Sequence, residues 1–318
     1  MKKVFVVMLV LVLVVSMIGC SAAQKYPKKQ ITLVIQAAPG GASDTVSRTV
    51  AGLMEKKLGV PVVGVNKTGA AGSVAMSYVK ESKADGYTIG YVPVELSMVK
   101  ALGYADISPK DYDLLGRAIV IPAAVTVKSD SPWKTLDDLI AYAKENPSKL
   151  KAGNSGTGSI WHIAACALED TSGIKLNHVP FDGAAPAVAA LLGGHVDVVT
   201  VSPSEVLSGV KSGELRVLGV MGAERSALIP DVPTLKESGL NANVVAWGGF
   251  AAPKGLPKEV REKLIESVKE AINSDDFKNL CEKRGMDHAY QDPGEFEKFA
   301  TEQFDFYNTL IPKLGLKK

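Results

Sequence analysis

Two periods of apolar residues alternate along the chain: short β-branched runs that suit buried strands, and segments with apolar positions three and four apart, which suit amphipathic helices. Ile31 to Ala37 is the first strand-like run. Pro39-Gly40-Gly41 ends it, and a helix is expected from Ser43 or Asp44, with Val46, Val50, Leu53, Met54 and Leu58 on one face. Gly59 to Asn66 reads as a second strand, and Lys67 to Ala75 as a glycine turn opening a helix of small residues. Asp85-Gly86 then turns the chain into a third strand, Tyr87 to Val92. Such a β-α-β-α-β order predicts a parallel, doubly wound sheet, with ligands gathering outside the carboxyl ends of its strands.

The second half repeats the alternation. Leu114 to Val127 is dense in apolar residues and broken by Pro122, so the first passage between two lobes is expected at 122 to 127. Thr135 and Asp138 stand at capping-box spacing before a helix whose face is Leu136, Leu139, Ile140 and Ala143. Lys149 to Ala152 is expected to be a short strand feeding the turn Gly153 to Ser159. A helix faced by Ile160, Ile163, Ala164, Ala167 and Leu168 follows. Val179 to Phe181 ends another strand, and Asp182 to Pro186 turns into a helix running to Leu192. A buried strand reaches Val201, Ser202-Pro203-Ser204 caps the next helix, and Leu215 to Met221 is a further strand. Asn243 to Ala252 carries Trp247 back toward the first lobe, and Pro257 to Ala271 and Gly294 to Leu310 read as amphipathic helices.

The first residues have a different pattern. Met1-Lys2-Lys3 precedes an almost unbroken apolar run from Val4 to Ile18, which has the layout of a secretory signal and is shorter than the ~20 residues of a bilayer-spanning helix. Met17-Ile18-Gly19-Cys20 resembles a bacterial lipobox, with Met17 in place of the usual Leu, so lipidation is expected at Cys20. Residues 1–19 form the signal and 20–30 a tether. Losing residues 1–19 removes Lys2 and Lys3 and brings the 36 basic residues level with the 34 acidic ones. A neutral mature chain has no basic face for nucleic acid. Its length exceeds what one core usually reaches, so two lobes are expected. Cys166 and Cys281 lie in apolar or amphipathic helices and read as buried small hydrophobes; whether they pair is left open by the sequence.

The candidate chemistry lies in the glycine turns. The first amides of a helix lack intrahelical partners and sit at the positive end of its dipole, so Pro39-Gly40-Gly41 before Ser43-Asp44 can hold an anion by backbone alone. Gly153 to Ser159 offers a second cradle, with hydroxyls at Ser155, Thr157 and Ser159. Asp44 reads as a helix cap stabilising the first cradle. An exported hydrolase centred on Ser155 is the alternative, since Gly153-Asn154-Ser155-Gly156 sits at a strand-to-helix turn. A nucleophile elbow, however, needs glycine where Thr157 stands. His162 follows on the helix that the turn opens, not on a separate element, and reads as packing or a pocket wall. His178, His195 and His288 read as isolated, without a second ligand at metal spacing. No Walker lysine follows the first turn. Neither catalysis, a cofactor nor a metal is expected.

Tyr26-Pro27, Ala38-Pro39-Gly40-Gly41-x-x-Asp44, Leu58-Gly-x-Pro-Val-Val, Asn66-x-x-Gly69-Ala-x-Gly72 and Asp85-Gly86-Tyr87-Thr88 occur in one order. They continue as Gly153-x-Ser-Gly-Thr-Gly158, Pro180-Phe-x-Gly183-x-x-Pro186-Ala187, Leu192-Gly-Gly-x-Val-Asp197 and Pro230-Asp-Val-Pro-Thr234. In these motifs the chain resembles the substrate-binding receptors of tripartite tricarboxylate transporters, the Bug or TctC-type family. The resemblance implies an α/β, two-lobed, periplasmic-binding-protein-like fold of the type II venus-flytrap kind, each lobe a mostly parallel doubly wound sheet. Lobe 1 would comprise 31–124 plus 250–318 and lobe 2 residues 125–249, with the second crossing at the Trp247 segment. It also implies capture of a small organic anion for the membrane components of a transporter; a monomer is the default expectation, and the tether follows from the lipid expected on Cys20.

The matched turns give the expected ligand-binding set: Pro39, Gly40, Gly41, Ser43, Asp44, Gly72, Ser73, Glu95, Ser155, Gly156, Thr157, His162, Phe181, Gly183, Ala184, Pro186, Ser202 and Ser204. No arginine lies in these turns, so amides, hydroxyls and bridging water are expected to hold the carboxylate. Hydrogen bonds to a charged group contribute about 1.5–3 kcal/mol each, so a few can offset its desolvation. Glu95 departs from the family's small polar residues. Facing the cleft, it would repel a second carboxylate and favour an amino-acid-like ligand with an ammonium or other donor end.

Overall fold

The computed structural model describes residues 26–37, 39–181 and 183–316; Cys20, the expected leader and most of the expected tether lie outside the described residues. Strand β1 (Ile31–Ile35) buries Ile31, Leu33, Val34 and Ile35, as a strand covered on both faces should. It feeds helix α1 (Ala42–Leu58), whose buried Val46, Val50 and Met54 each contribute about 1.5–3 kcal/mol against the sheet. Strand β2 (Val62–Asn66), helix α2 (Ser73–Glu81) and strand β3 (Thr88–Pro93) complete the first alternation.

The long β4 (Tyr112–Pro122) leaves this sheet, and β5 (Ala124–Lys128) begins the second. Next come α3 (Leu136–Glu145), β6 (Lys151–Asn154), α4 (Ile160–Ser172), β7 (Asn177–Pro180), α5 (Ala184–Leu192), β8 (Val198–Val201), α6 (Pro203–Lys211) and β9 (Leu215–Val220). The chain returns along β10 (Val245–Pro253) to α7 (Lys258–Asn273), α8 (Asp275–Arg284), β11 (Asp287–Gln291) and α9 (Pro293–Lys313). The strand orders are β11-β4-β10-β3-β1-β2 and β7-β6-β8-β5-β9. The pairings make β1 to β4 run one way and β10 and β11 the other. In the second sheet β5 alone opposes its neighbours. Most strands of each sheet therefore point one way, but both sheets are mixed rather than mostly parallel as expected: β10, and in the second sheet β5, lies between strands of opposite direction, so β11-β4, β4-β10, β10-β3, β8-β5 and β5-β9 pair antiparallel.

The two passages between sheets lie side by side. Ala123 donates its N–H to Val244 and accepts from Met221, and Met221 also accepts from Val244. A lobe boundary at 249 and 250 cuts through β10. Val245 to Gly249 already pair with β4, so the strand belongs to the first sheet from its first residue. The short strand expected at Lys149 begins two residues later, because the Lys149 N–H closes a turn onto the Asn146 carbonyl. Cys166 and Cys281 are free, buried thiols.

Candidate functional site

A cavity of about 360 Å³ opens between the sheets. The first sheet supplies most of its wall: Gln36 and Ala37 after β1, Ala42 and Ser43 in the first turn of α1, Ala71 and Gly72 before α2, and Tyr91 and Pro93 of β3. Val94 and Glu95 follow in a short 3-10 turn, with Ile119 and Ile121 of β4 and Ala246 and Trp247 of β10 behind them. Ile160, the first residue of α4, brings the second lobe to the same space. The N-terminal ends of α1 and α4 thus border one cavity, and among the described residues its lining contains no lysine or arginine.

The polar groups on this wall are linked. Gln36 Nε2 donates to Ser43 Oγ at 2.9 Å, and the Ser43 hydroxyl is hydrogen-bonded in turn to Tyr91. The Tyr91 hydroxyl lies over Gly248 of β10, in space that any side chain there would fill. Burial pushes the Glu95 carboxyl above the usual carboxylate range, and its charge acts on the buried hydroxyls of Tyr91 and Tyr307. Gln36 Oε1 and Trp247 Nε1 are buried beside the cavity without a protein partner.

Of the residues expected from sequence to bind ligand, Ser43, Gly72 and Glu95 line the cavity. Pro39, Gly40 and Gly41 are exposed beside it, and Ser73 is buried as the first residue of α2. Asp44 is placed differently from the expected helix cap. The cap position is Gly41, while the Asp44 carboxylate accepts from Gly40 N–H (3.0 Å), Arg48 Nε (2.9 Å) and Asn66 Nδ2 (2.8 Å) behind the turn. Burial acts upward on this carboxyl, but the bonds from Asn66, Gly40 and Arg48 prevail and hold it at about 2. One amide of the expected cradle is therefore used to shape the turn.

The second cradle satisfies itself as well. Gly156 N–H donates to Asn154 Oδ1, Gly158 N–H to His162 Nδ1, and Ser155 Oγ to Ser159 Oγ. The Ser159 hydroxyl caps α4 by accepting from His162 N–H. The Ser155 hydroxyl donates to Ser159, and His162 turns its other ring nitrogen to Cys166 rather than to Ser155. His162 is buried and packs against His178 rather than lining the cavity. Thr157 is exposed, and Phe181 packs on Gly153. Gly183, Ala184 and Pro186 open α5. Ser202 and Glu205 form the capping box of α6, and Ser204 faces Gly285 of the first lobe. None of these second-lobe residues is on the cavity wall.

Reading His178 as isolated was wrong. Its Nε2 bonds Glu169 Oε2 at 2.9 Å, and it meets His162 and Cys166. The positions 162, 166 and 169 share one helix face, a spacing that was visible in sequence. Sequence reasoning also missed Tyr91, Ile119, Ile121, Ile160 and Trp247 as wall residues. Each is an apolar or aromatic strand or helix residue whose pattern matches a core position.

Residues 46–316 match the family described as the tripartite tricarboxylate transporter family receptor, TctC. The UPF0065 protein in gbd 5'region of Cupriavidus necator is 34% identical over 297 residues, covering 93% of this chain and 90% of that one. A crystal structure of a TctC solute-binding protein from Polaromonas, without ligand, superposes with a TM-score of 0.86 at 35% identity, covering 91% of this chain and all of that one. The structure of R. palustris Rpa4515 with adipate has a TM-score of 0.73 at 26% identity and covers 92% and 99%. With matching fold, matching sequence and a cavity between two lobes, this chain belongs to the tripartite tricarboxylate transporter receptor family, whose members are solute-binding receptors.

Proposed function

We propose that the protein is an extracytoplasmic receptor that takes a small organic carboxylate into the cavity between its sheets and passes it to the membrane components of a tripartite transporter. The observation that carries this reading is that the first turns of α1 and α4 border one space, so two helix N-termini face the same ligand. A relative seen with adipate supports a carboxylate. On this reading the protein catalyses nothing, needs no cofactor, acts as a monomer and is held at the outer face of the membrane by a lipid on Cys20. Among the described residues no helix is long and apolar enough to cross a membrane.

The lining restricts the ligand further. Ser43, Tyr91 and Gln36 supply neutral polar groups, and Glu95 is the one acidic side chain on the wall among the described residues. A ligand with carboxylates at both ends would set one against Glu95 with no cation between them. A ligand with a carboxylate at one end and an ammonium at the other is complementary. The test is calorimetry with dicarboxylates and α-amino acids of matched length, on the native protein and Glu95→Gln. The amino acid should bind more tightly to the native protein, and that preference should vanish in the variant. Equal affinities for every ligand in both proteins would remove Glu95 from the site, and no thermal shift with any carboxylate or amino acid would end the receptor reading.

A further inference from the structure

Away from the cleft, one face of α4 and the neighbouring strand β7 gather donors that the receptor reading does not use. His162 Nε2 lies 3.7 Å from Cys166 Sγ, and ligand atoms of His162, Cys166 and His178 all fall within 4.8 Å of one another. Glu169 Oε2 takes the Nε2 proton of His178 at 2.9 Å, while Glu169 Oε1 is held by Leu176 N–H at 2.6 Å. That arrangement fixes the His178 tautomer and leaves Nδ1 as a lone pair, and this atom is buried without a protein partner. A carboxylate on the far nitrogen of a histidine is how metal-ligating imidazoles are usually oriented.

We propose that His162 Nε2, Cys166 Sγ and His178 Nδ1 form a binding site for a zinc-class cation, with Glu169 as the positioning residue behind His178. One thiolate and two imidazoles select borderline or soft cations over magnesium or calcium. Zinc at about 2.0–2.3 Å from tetrahedral donors sets them roughly 3.4–3.7 Å apart. The His162–Cys166 pair is at that spacing, and the His178 ring must close by about 1 Å. Three protein donors leave a fourth position for water, and His178, with 24% of its side chain exposed, is the side of entry.

Loading has a consequence at the neighbouring loop. The Cys166 thiol gives its proton to solvent, and His162 binds through Nε2 only when its own proton moves to Nδ1. Nδ1 then no longer accepts from Gly158 N–H, the 3.1 Å bond that ties the turn Ser155 to Ser159 to the helix. Metal binding on α4 therefore frees an amide in the turn that opens that helix.

The experiment titrates the chelator-treated full chain with Zn²⁺ against a chromophoric chelator and, separately, with Co²⁺ followed by absorption. One ion per chain is expected, undisplaced by Mg²⁺, with affinity tenfold or more weaker in Cys166→Ser and His178→Gln. The Co²⁺ complex should show a thiolate charge-transfer band that Cys166→Ser abolishes. In the native protein, Zn²⁺ should quicken hydrogen exchange at the Gly158 amide, a readout that does not depend on either variant folding. Equal Zn²⁺ affinity in all three proteins, a Co²⁺ spectrum unchanged by Cys166→Ser, or unaltered exchange at Gly158 would overturn the site.

Discussion

Glu95 is an acid on the cavity wall with no basic neighbour among the lining residues. Burial raises its carboxyl above the usual value of 4.5, so the fold favours the protonated form. Its contribution to stability is therefore fully present below about pH 4.5 and lost as pH rises through the raised folded value. Glu95→Gln should stabilise the ligand-free protein at neutral pH by about 1–3 kcal/mol, the range for relieving a poorly satisfied buried group. The gain should disappear near pH 4, as read by thermal melts across pH. Asp44 behaves in the opposite sense. Held at about 2 by its three partners, it stabilises the protein above about pH 3.8, and that contribution is lost as pH falls toward 2. Asp44→Ala leaves Gly40 N–H, Asn66 and Arg48 without their shared acceptor and should cost about 1–3 kcal/mol in urea unfolding at pH 7.

Strands β3 and β10 meet where Tyr91 needs Gly248. A Cβ at position 248 would overlap the Tyr91 hydroxyl, which is buried and bonded to Ser43, so the ring has little room to yield. Gly248→Ala should displace Tyr91 from the cavity wall and lower ligand affinity at least tenfold by calorimetry. An unchanged affinity would mean that Tyr91 does not shape the site. This dependence between distant positions is what the sequence could not reveal. Strand and helix periods located most elements: α3 buries all four positions its spacing selects, and α1 buries Val46, Val50 and Met54 while Leu53 and Leu58 are partly buried. The capping box of α3 was legible from Thr135 and Asp138 alone. Strand β11 was missed because Asp287 to Gln291 is half-buried at every residue, with no alternation for a period to detect. The glycine turns announced the cleft, but its walls are apolar residues such as Ile119 and Ile160. Local sequence gives these no mark to distinguish them from core; the pairing of β4 with β10 places Ile119 and Trp247 on neighbouring strands, and Ile160 reaches the same space from the start of α4.

The relation between the lobes depends on a few contacts besides the paired crossings at Ala123. Gly285 ends α8 with φ +65, and a Cβ there would stand 2.6 Å from Ser204 Cβ at the start of α6 in the second lobe. Next to it, Asp287 is hydrogen-bonded to Ala227 N–H and the Ser226 side chain across the same boundary. Ser204 is fixed by its hydroxyl contact with the Ser202 cap, so the clash in Gly285→Ala must be relieved by moving one lobe against the other. Gly59 isolates that effect. It ends α1 with φ +69, in nearly the same conformation, and a Cβ added there would have nothing within 4 Å. Gly59→Ala should cost only the left-handed strain, about 1–2 kcal/mol, and leave ligand affinity unchanged. Gly285→Ala should lose more stability than that, enlarge the radius of gyration in solution scattering and weaken the ligand. If the two variants prove indistinguishable in all three measurements, the Gly285–Ser204 contact does not set the angle between the lobes, and the crossings at Ala123 must set it alone.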